Sequence, residues 1–313
     1  MKMKQLGNSD IKLAPLVLGG NVFGWTVNQE EGFKILDAFI DAGFNMIDTA
    51  DIYSRWVTGN SGGESETIIG NWLARTGKRD KVLLATKVGM DMGEGRKGLS
   101  QSHIVTSVES SLKRLQTDYI DLYFSHSDDT STPLEETMRA YSNLIKAGKV
   151  RVIGASNYSA SRLRESLKIS QTHGFPRYEA LQPHYNLCER SLFEVELEKA
   201  CLENKIGVVS YYSLASGFLT GKYRSEADLS QSQRGRGVQK YLNEKNLNLL
   251  SVIDDLASKH LATPAQISLA WLMARPSVTA PIASATSLIQ LRDIMQAASI
   301  ILDKNDLQQL DEI

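Results

Sequence analysis

The chain has 313 residues, 42% of them hydrophobic and 23% charged, and its 35 basic against 36 acidic side chains leave a formal net charge of −1. That apolar content argues against disorder, and the balanced charge gives no whole-chain reason to expect nucleic acid or an acidic membrane as partner. The two cysteines, Cys188 and Cys201, lie outside any C-x-x-C unit, which argues against a disulfide scaffold or a cysteine zinc site. The start, Met1-Lys2-Met3-Lys4-Gln5-Leu6-Gly7, lacks the apolar stretch of a signal peptide, and no later apolar run is long enough to span a bilayer. A cytoplasmic location is therefore the expectation.

Short apolar runs rich in β-branched residues alternate with longer segments of helical period. A hairpin is expected first, Met3–Leu6 and Ile11–Leu13 flanking Gly7-Asn8-Ser9-Asp10. Eight strands follow: Pro15–Gly19, Phe44–Asp48, Val82–Thr86, Tyr119–Phe124, Val150–Ala155, Ala180–Gln182, Ile206–Ser210 and Val278–Ala283. Between them the period predicts helices over Glu30–Ala42, Glu64–Arg75, Ser102–Leu115, Leu134–Ala147, Ala160–Thr172, Leu192–Glu203, Asn243–Lys259 and Pro264–Ala274. Leu288–Ala297 and Asn305–Ile313 close the chain. Strands separated by helices must run parallel, because only a crossover returns the chain to the same end of a sheet. Eight such units without a Pro/Ser-rich linker point to a single domain over residues 1–313, a (β/α)8 TIM barrel plugged by the hairpin. The competing architecture is an open doubly wound sheet.

Two motifs mislead. Gly93-Glu94-Gly95-Arg96-Lys97-Gly98 matches G-x-G-x-x-G, but Lys87–Met92 separates it from its strand and Leu99-Ser100-Gln101 from the next helix. Pyrophosphate binding needs both junctions to be direct. Gly217-Phe218-Leu219-Thr220-Gly221-Lys222-Tyr223 resembles a P-loop, yet has three residues between its glycines and no Ser or Thr after the lysine to hold a magnesium ion.

Chemistry in such a barrel collects at the C-terminal ends of the strands. There stand Asp48, then Tyr53 in Asp48-Thr49-Ala50-Asp51-Ile52-Tyr53, Lys87, and His126 after Tyr123-Phe124-Ser125. Singly, each has an ordinary reading: a capping carboxylate, a rim aromatic, a snorkelling lysine, a core histidine. Around one mouth they suit proton transfer to a carbonyl. Lys87 would lower the tyrosine's proton affinity, Asp48 would balance the buried ammonium, and His126 would orient the substrate oxygen. None of these roles needs a metal, and no strong metal-ligand spacing occurs. Ser156-Asn157, Gln182 and Ser210-Tyr211 end the next strands with amides, hydroxyls and an aromatic face, the partners that a nicotinamide carboxamide and its flat ring require.

At these positions the chain resembles the aldo-keto reductase superfamily over essentially its whole length, and more closely its bacterial branch related to potassium-channel β subunits. The resemblance rests on Asn45-Met46-Ile47-Asp48-Thr49-Ala50-Asp51-Ile52-Tyr53, Gly63-Glu64-Ser65-Glu66, Ala85-Thr86-Lys87, Gly154-Ala155-Ser156-Asn157, Leu181-Gln182-Pro183-His184-Tyr185-Asn186 and Ser213-Leu214-Ala215-Ser216-Gly217-Phe218-Leu219-Thr220-Gly221-Lys222-Tyr223. It implies that Asp48, Tyr53, Lys87 and His126 form a catalytic tetrad with Tyr53 as the proton donor in reduction. It implies too that Ser156, Asn157 and Gln182 hold the carboxamide, that Tyr211 stacks on the nicotinamide, and that Leu214, Ser216, Gly217 and Lys222 cover the pyrophosphate. Where the family often supplies Lys or Arg to the adenosine phosphate, this chain has Ser284 and Gln290, with Arg292 the nearest cation. NADPH is the cofactor implied by resemblance, and these residues leave NADH open.

The substrate pocket would be walled by Trp25, Trp56, Tyr53 and Tyr212, suited to a small-molecule carbonyl such as an aldehyde of modest size. Arg234-Gly235-Arg236-Gly237 in the long loop after strand seven would either clamp cofactor phosphate or form a solvated lid. The expected activity is NAD(P)H-dependent carbonyl reduction. Its rivals are an NAD-dependent dehydrogenase of sugars or other alcohols and a cofactor-binding, redox-sensing regulatory subunit. A homo-oligomer is left open.

Overall fold

A computed structural model describes residues 1–313. The chain opens with an antiparallel hairpin, β1 (Lys4–Gln5) and β2 (Lys12–Leu13). Eight parallel strands follow: β3 (Val17–Gly19), β4 (Met46–Asp48), β5 (Leu83–Val88), β6 (Ile120–Ser125), β7 (Val150–Ser156), β8 (Tyr178–Gln182), β9 (Gly207–Val208) and β10 (Ile282–Ala283). Each pairs with the next from β3 to β9, and β10 returns to pair with β3. Closure is made by the other edge of the last unit, where Thr279 N–H donates to Val208 O at 2.8 Å and Ile282 N–H to Ser210 O at 2.9 Å. Bonding on both edges rules out the open doubly wound sheet, and the (β/α)8 barrel expected from the strand count is the fold.

Two layers of apolar burial follow from the alternation of side chains along each strand. Inside the barrel Val17, Met46, Ala85, Leu122, Phe124 and Val152 pack with Leu6, Ile11 and Leu13 of the hairpin, which plugs the N-terminal end. Gly207 permits that plug, since a Cβ there would stand 2.6 Å from the Leu6 side chain and 2.8 Å from Gly7 N. Asn45 locks it to the barrel, accepting from Ala14 N–H at 3.0 Å and donating to Lys12 O at 2.9 Å. Outside, a larger core joins the sheet to the helices.

The helices begin where short polar side chains satisfy free N–H groups. Asn28 caps α1 (Gln29–Asp41), Ser100 caps α3 (Gln101–Leu115) and Ser159 caps α5 (Ala160–His173). Thr263 and Gln266 form a capping box around Pro264 at the head of α10 (Pro264–Ala274). The remaining long crossovers are α2 (Glu64–Thr76), α4 (Leu134–Lys146) and α9 (Glu244–Lys259). The helix expected over Leu192–Glu203 is instead two, α6 (Ser191–Glu194) and α7 (Glu196–Glu203), because Val195 sits at φ −88°, ψ −92° and cannot continue the spiral. One turn, α8 (Gly235–Val238), interrupts the loop after β9, and α11 (Leu288–Gln296) and α12 (Lys304–Asp311) end the chain.

Helices α2 and α3 cross unusually closely at Gly70, where a Cβ would lie 2.0 Å from Arg114 O and 2.8 Å from Leu115 C. Gly70→Ala must push this pair apart, an overpacking cost of about 1–3 kcal/mol. An unfolding free energy in urea lowered by that amount, through a lower midpoint at unchanged slope, is the expected outcome.

Candidate active site

The C-terminal ends of the strands open into a cavity of about 920 Å³, near the upper end of the roughly 300–1,000 Å³ usual for small-molecule sites. Its floor is built around one buried cation. Lys87, wholly buried on β5, has three ammonium hydrogens and three acceptors: Asp48 Oδ2 at 2.7 Å, Thr49 O at 2.7 Å and Tyr53 Oη at 2.8 Å. Asp48, at the end of β4, also receives Gln182 Nε2 at 2.8 Å on Oδ1 and the longer Tyr53 hydroxyl bond at 3.3 Å on Oδ2. His126 follows β6, its ring 6.1 Å from that of Tyr53, with Nδ1 buried and unpartnered. Asp48, Tyr53 and His126 line the cavity, while Lys87 lies behind Tyr53.

Electrostatics here differ from the simple expectation. Burial first, and the Asp48 carboxylate second, hold the Tyr53 phenol well above its ordinary value. The expected lowering by Lys87 is therefore outweighed: the ammonium donates to a phenol that keeps its proton. Burial also pulls Lys87 below its ordinary value against the pull of Asp48, and burial and then Lys87 hold His126 well below 6.5. At neutral pH the mouth thus presents a protonated tyrosine and a neutral imidazole. Both are groups able to donate to a carbonyl oxygen.

The neighbouring strand ends carry the amides and hydroxyls. Ser156 Oγ donates to Gln182 O at 2.8 Å, tying β7 to β8. Asn157, in the left-handed region at φ 57° that asparagine tolerates, donates to His126 O at 2.8 Å and accepts from Tyr211 Oη at 2.7 Å. One face of Tyr211 stacks on His184, ring centres 5.3 Å apart, so a second flat ring would have to use the other face. Leu214 begins a tight turn in which Ser216 and Gly217 are both left-handed, and exposed Lys222 flanks it. Ser284 and Gln290 line the far end of the same cavity. Ser284 Oγ is held by Asn21 Oδ1 at 2.5 Å, and Gln290 Oε1 accepts from Thr286 N–H and Oγ at 2.9 Å. Arg292 faces a separate hollow with Met1, Phe44 and Met295 and does not serve this end.

Trp56 and Tyr212, each about half exposed, line the wall above Tyr53. Trp25 does not line the cavity; it braces Trp56 edge-on with centroids 5.7 Å apart. The Gly93–Gly98 stretch is a loop outside the cavity, and Ser100, not a glycine, opens α3. Sequence reasoning did not single out Asn21, Met90 or Asp293, which also line it. Asn21 follows the end of β3, so the strand-end rule would have reached it; Asp293, one turn into α11, carries no local signal.

A closed barrel with a buried lysine–carboxylate–tyrosine cluster at its mouth and a long cavity lined by amides, hydroxyls and rings defines a class: an oxidoreductase-type (β/α)8 barrel. Residues 15–313 match the model of the Aldo/keto reductase family, and the chain belongs to that family. An uncharacterised oxidoreductase of Bacillus subtilis, YrpG, is 36% identical over the whole chain and 96% of its own length. A probable voltage-gated potassium channel subunit beta of Arabidopsis thaliana is 33% identical over 96% of this chain and 92% of its own. The aldo-keto reductase yakc [NADP(+)] of Schizosaccharomyces pombe is 33% identical over 91% and 83%. No helix is long and apolar enough to cross a membrane.

Behind the cluster lie two more buried carboxyls, Glu66 and Asp51. Glu66 is answered by Arg114 at 2.6 Å and Thr86 at 2.6 Å, but Asp51 Oδ1 has no partner, and burial and then Glu66 push its acid up to about 8. Between the ordinary carboxylate value and about 8 the native state holds a proton that the unfolded chain has lost, so this group lowers stability as pH rises through that window. Asp51→Asn removes the effect. Its melting temperature is expected to match wild type near the acid end of the window and to exceed it increasingly up to about pH 8, by about 2–4 °C per kcal/mol relieved; thermal unfolding at several pH values measures this.

Proposed function

We propose that the protein is an NAD(P)H-dependent reductase of aldehydes and ketones in which Tyr53 delivers the proton. The observation that carries this reading is the placement of the Tyr53 hydroxyl at the cavity wall, 2.8 Å from a buried ammonium that can hold the phenolate left behind. When bound, the nicotinamide cofactor supplies the hydride. Tyr53 gives up its hydroxyl proton to the carbonyl oxygen, Lys87 stabilises the resulting phenolate, and Asp48 keeps Lys87 from being a lone buried charge. His126, neutral, donates to the same oxygen and orients it.

The cavity fits such a cofactor through this chain's own donors. Ser156, Asn157 and Gln182 offer amide and hydroxyl groups to a carboxamide. Gln182 keeps Oε1 free while Nε2 grips Asp48, whereas Asn157 must exchange its Tyr211 contact. Tyr211 offers a ring face, and Lys222 beside the Ser216–Gly217 turn offers charge to pyrophosphate, with Leu214 at the start of that turn. Trp56 and Tyr212 wall the substrate. NADPH is supported by the printed name of the fission-yeast relative, but the far end of the cavity offers Ser284 and Gln290, not a cation. The same residues serve alcohol oxidation in reverse. The regulatory reading is favoured by one finding, the plant channel-subunit relative. A cytoplasmic, single-domain enzyme is the form proposed.

Two experiments test this. Tyr53→Phe should lower kcat for aldehyde reduction by about 10²–10⁴ while cofactor binding, followed by quenching of protein fluorescence, persists; reduction at the wild-type rate would sink the assignment. Ser284→Lys should tighten NADP(H) more than NAD(H) by about tenfold, the worth of one charge-assisted contact. Equal effects on the two would place the adenosine phosphate elsewhere.

A further inference from the structure

Beyond the sheet, the chain after β8 and the chain after β9 still run side by side. His184 and Tyr211 form an isolated parallel bridge, and Tyr211 N–H donates to Pro183 O at 3.0 Å. This pairing gathers three rings. His184 stacks 5.3 Å from Tyr211 with the planes 25° apart, lies 5.2 Å from Tyr212, and leaves Tyr211 and Tyr212 5.3 Å from each other. Both tyrosines line the cavity, whereas half-buried His184 does not.

A fully buried amide supports these rings. Asn186 Oδ1 accepts from Cys188 N–H at 2.8 Å and Glu189 N–H at 3.0 Å, while Nδ2 donates to Tyr212 O at 2.9 Å and faces His184 Nε2 at 3.4 Å. Its polar atoms are thus all directed at this corner. Burial holds the His184 imidazole below its ordinary value, so at neutral pH Nε2 is able to accept. Tyr212 stands in the left-handed region at φ 53°, unfavourable for a bulky side chain, yet its ring is half exposed. A ring that exposed adds little to the core, so the strain is matched by its placement over the mouth, beside Tyr211.

The Tyr211 ring has a further tie, the bond from its hydroxyl to Asn157 Oδ1 at 2.7 Å. If Asn157 exchanges that bond for the carboxamide, the stack on His184 is what still fixes the ring. Resting on the carbonyl-reductase reading, we propose that His184 is a positioning residue for hydride transfer, holding Tyr211 as the nicotinamide platform and Tyr212 as the wall for the carbonyl. His184 touches neither reactant. It fixes two surfaces, one for each reactant, in a single stack, and small errors in the approach of reacting atoms slow a reaction steeply.

The test compares wild type, His184→Ala and His184→Phe. Each is loaded with the more tightly bound of NADPH and NADH, carrying hydrogen or deuterium at the transferred position, and mixed with benzaldehyde. The first turnover is followed by the loss of cofactor fluorescence. His184→Ala should slow hydride transfer by about tenfold or more, with the deuterium effect marking it as the step slowed. His184→Phe, which restores a stacked ring, should recover most of the rate. A merely destabilised protein would lose amplitude and keep the wild-type rate constant. Separately, the fluorescence lifetime of the bound reduced cofactor, measured at saturation without aldehyde, should shorten in His184→Ala and recover in His184→Phe. A His184→Ala protein with the wild-type rate constant, or with the wild-type lifetime, would overturn the proposal. So would a His184→Phe protein as slow as His184→Ala. Wild type that binds cofactor but reduces no aldehyde would sink the reductase reading alone, and the lifetimes would still decide the role of His184.

Discussion

One buried ammonium organises the mouth of this barrel. Lys87 is wholly buried, and each of its three N–H groups has an acceptor within 2.8 Å. A lone charge in that position would be very costly, and breaking such a buried pair typically costs about 3–5 kcal/mol. The compensation comes from three directions. Asp48 supplies the opposite charge from the adjacent strand β4, Thr49 supplies a backbone carbonyl where β4 ends, and Gln182 on β8 holds the second oxygen of Asp48. The network therefore spans the barrel interior, and the strand register that aligns Asp48 with Ala85 and Ser156 with Gln182 sets its geometry.

The same burial that makes the ion pair necessary sets the protonation of its neighbours. Removing water disfavours every charged form, so Tyr53 moves up and His126 moves down. The consequence is a neutral donor pair beside a charge pair that is already balanced. A lysine here does not create a phenolate in advance. In the reaction proposed, it would hold one as it forms, without further rearrangement, as electrostatic preorganisation requires.

Much of this was legible in the sequence, for a physical reason. Strand ends in a parallel barrel converge at one face, so polar residues at or just after the ends of β-branched runs, such as Asp48, Lys87, His126 and Gln182, can be gathered from the sequence alone. The eight runs themselves gave the fold, although β9 and β10 are two-residue strands where longer ones were expected. What local pattern could not carry was long-range geometry. Nothing near Gln182 indicates that its amide meets Asp48, 134 residues away. Helical spacing alone did not say which way Arg292 faces, and Trp25 could be placed near the pocket but not behind Trp56. Spacing reveals neighbours but not the loss of water, and it is the loss of water that raises Tyr53 where Lys87 alone would lower it. Val195 likewise looks compatible with helix, and only its backbone angles, φ −88° and ψ −92°, separate α6 from α7.

The near-zero net charge of the chain takes its meaning from this division of labour. A cation at a strand end is buried and must bring its own carboxylate, as Lys87 brings Asp48, so its field is cancelled before any ligand arrives. A cation meant for a ligand's charge has to sit where a ligand can replace the water or relieve the strain of its desolvation. In this cavity Lys222 and Arg234 both lie on the loop after β9, one exposed and one half-buried, neither paired with a carboxylate. The neutral donors Tyr53 and His126 stand just past β4 and β6, held against the balanced charge pair, while the cations without a carboxylate partner stand apart from them on the loop after β9.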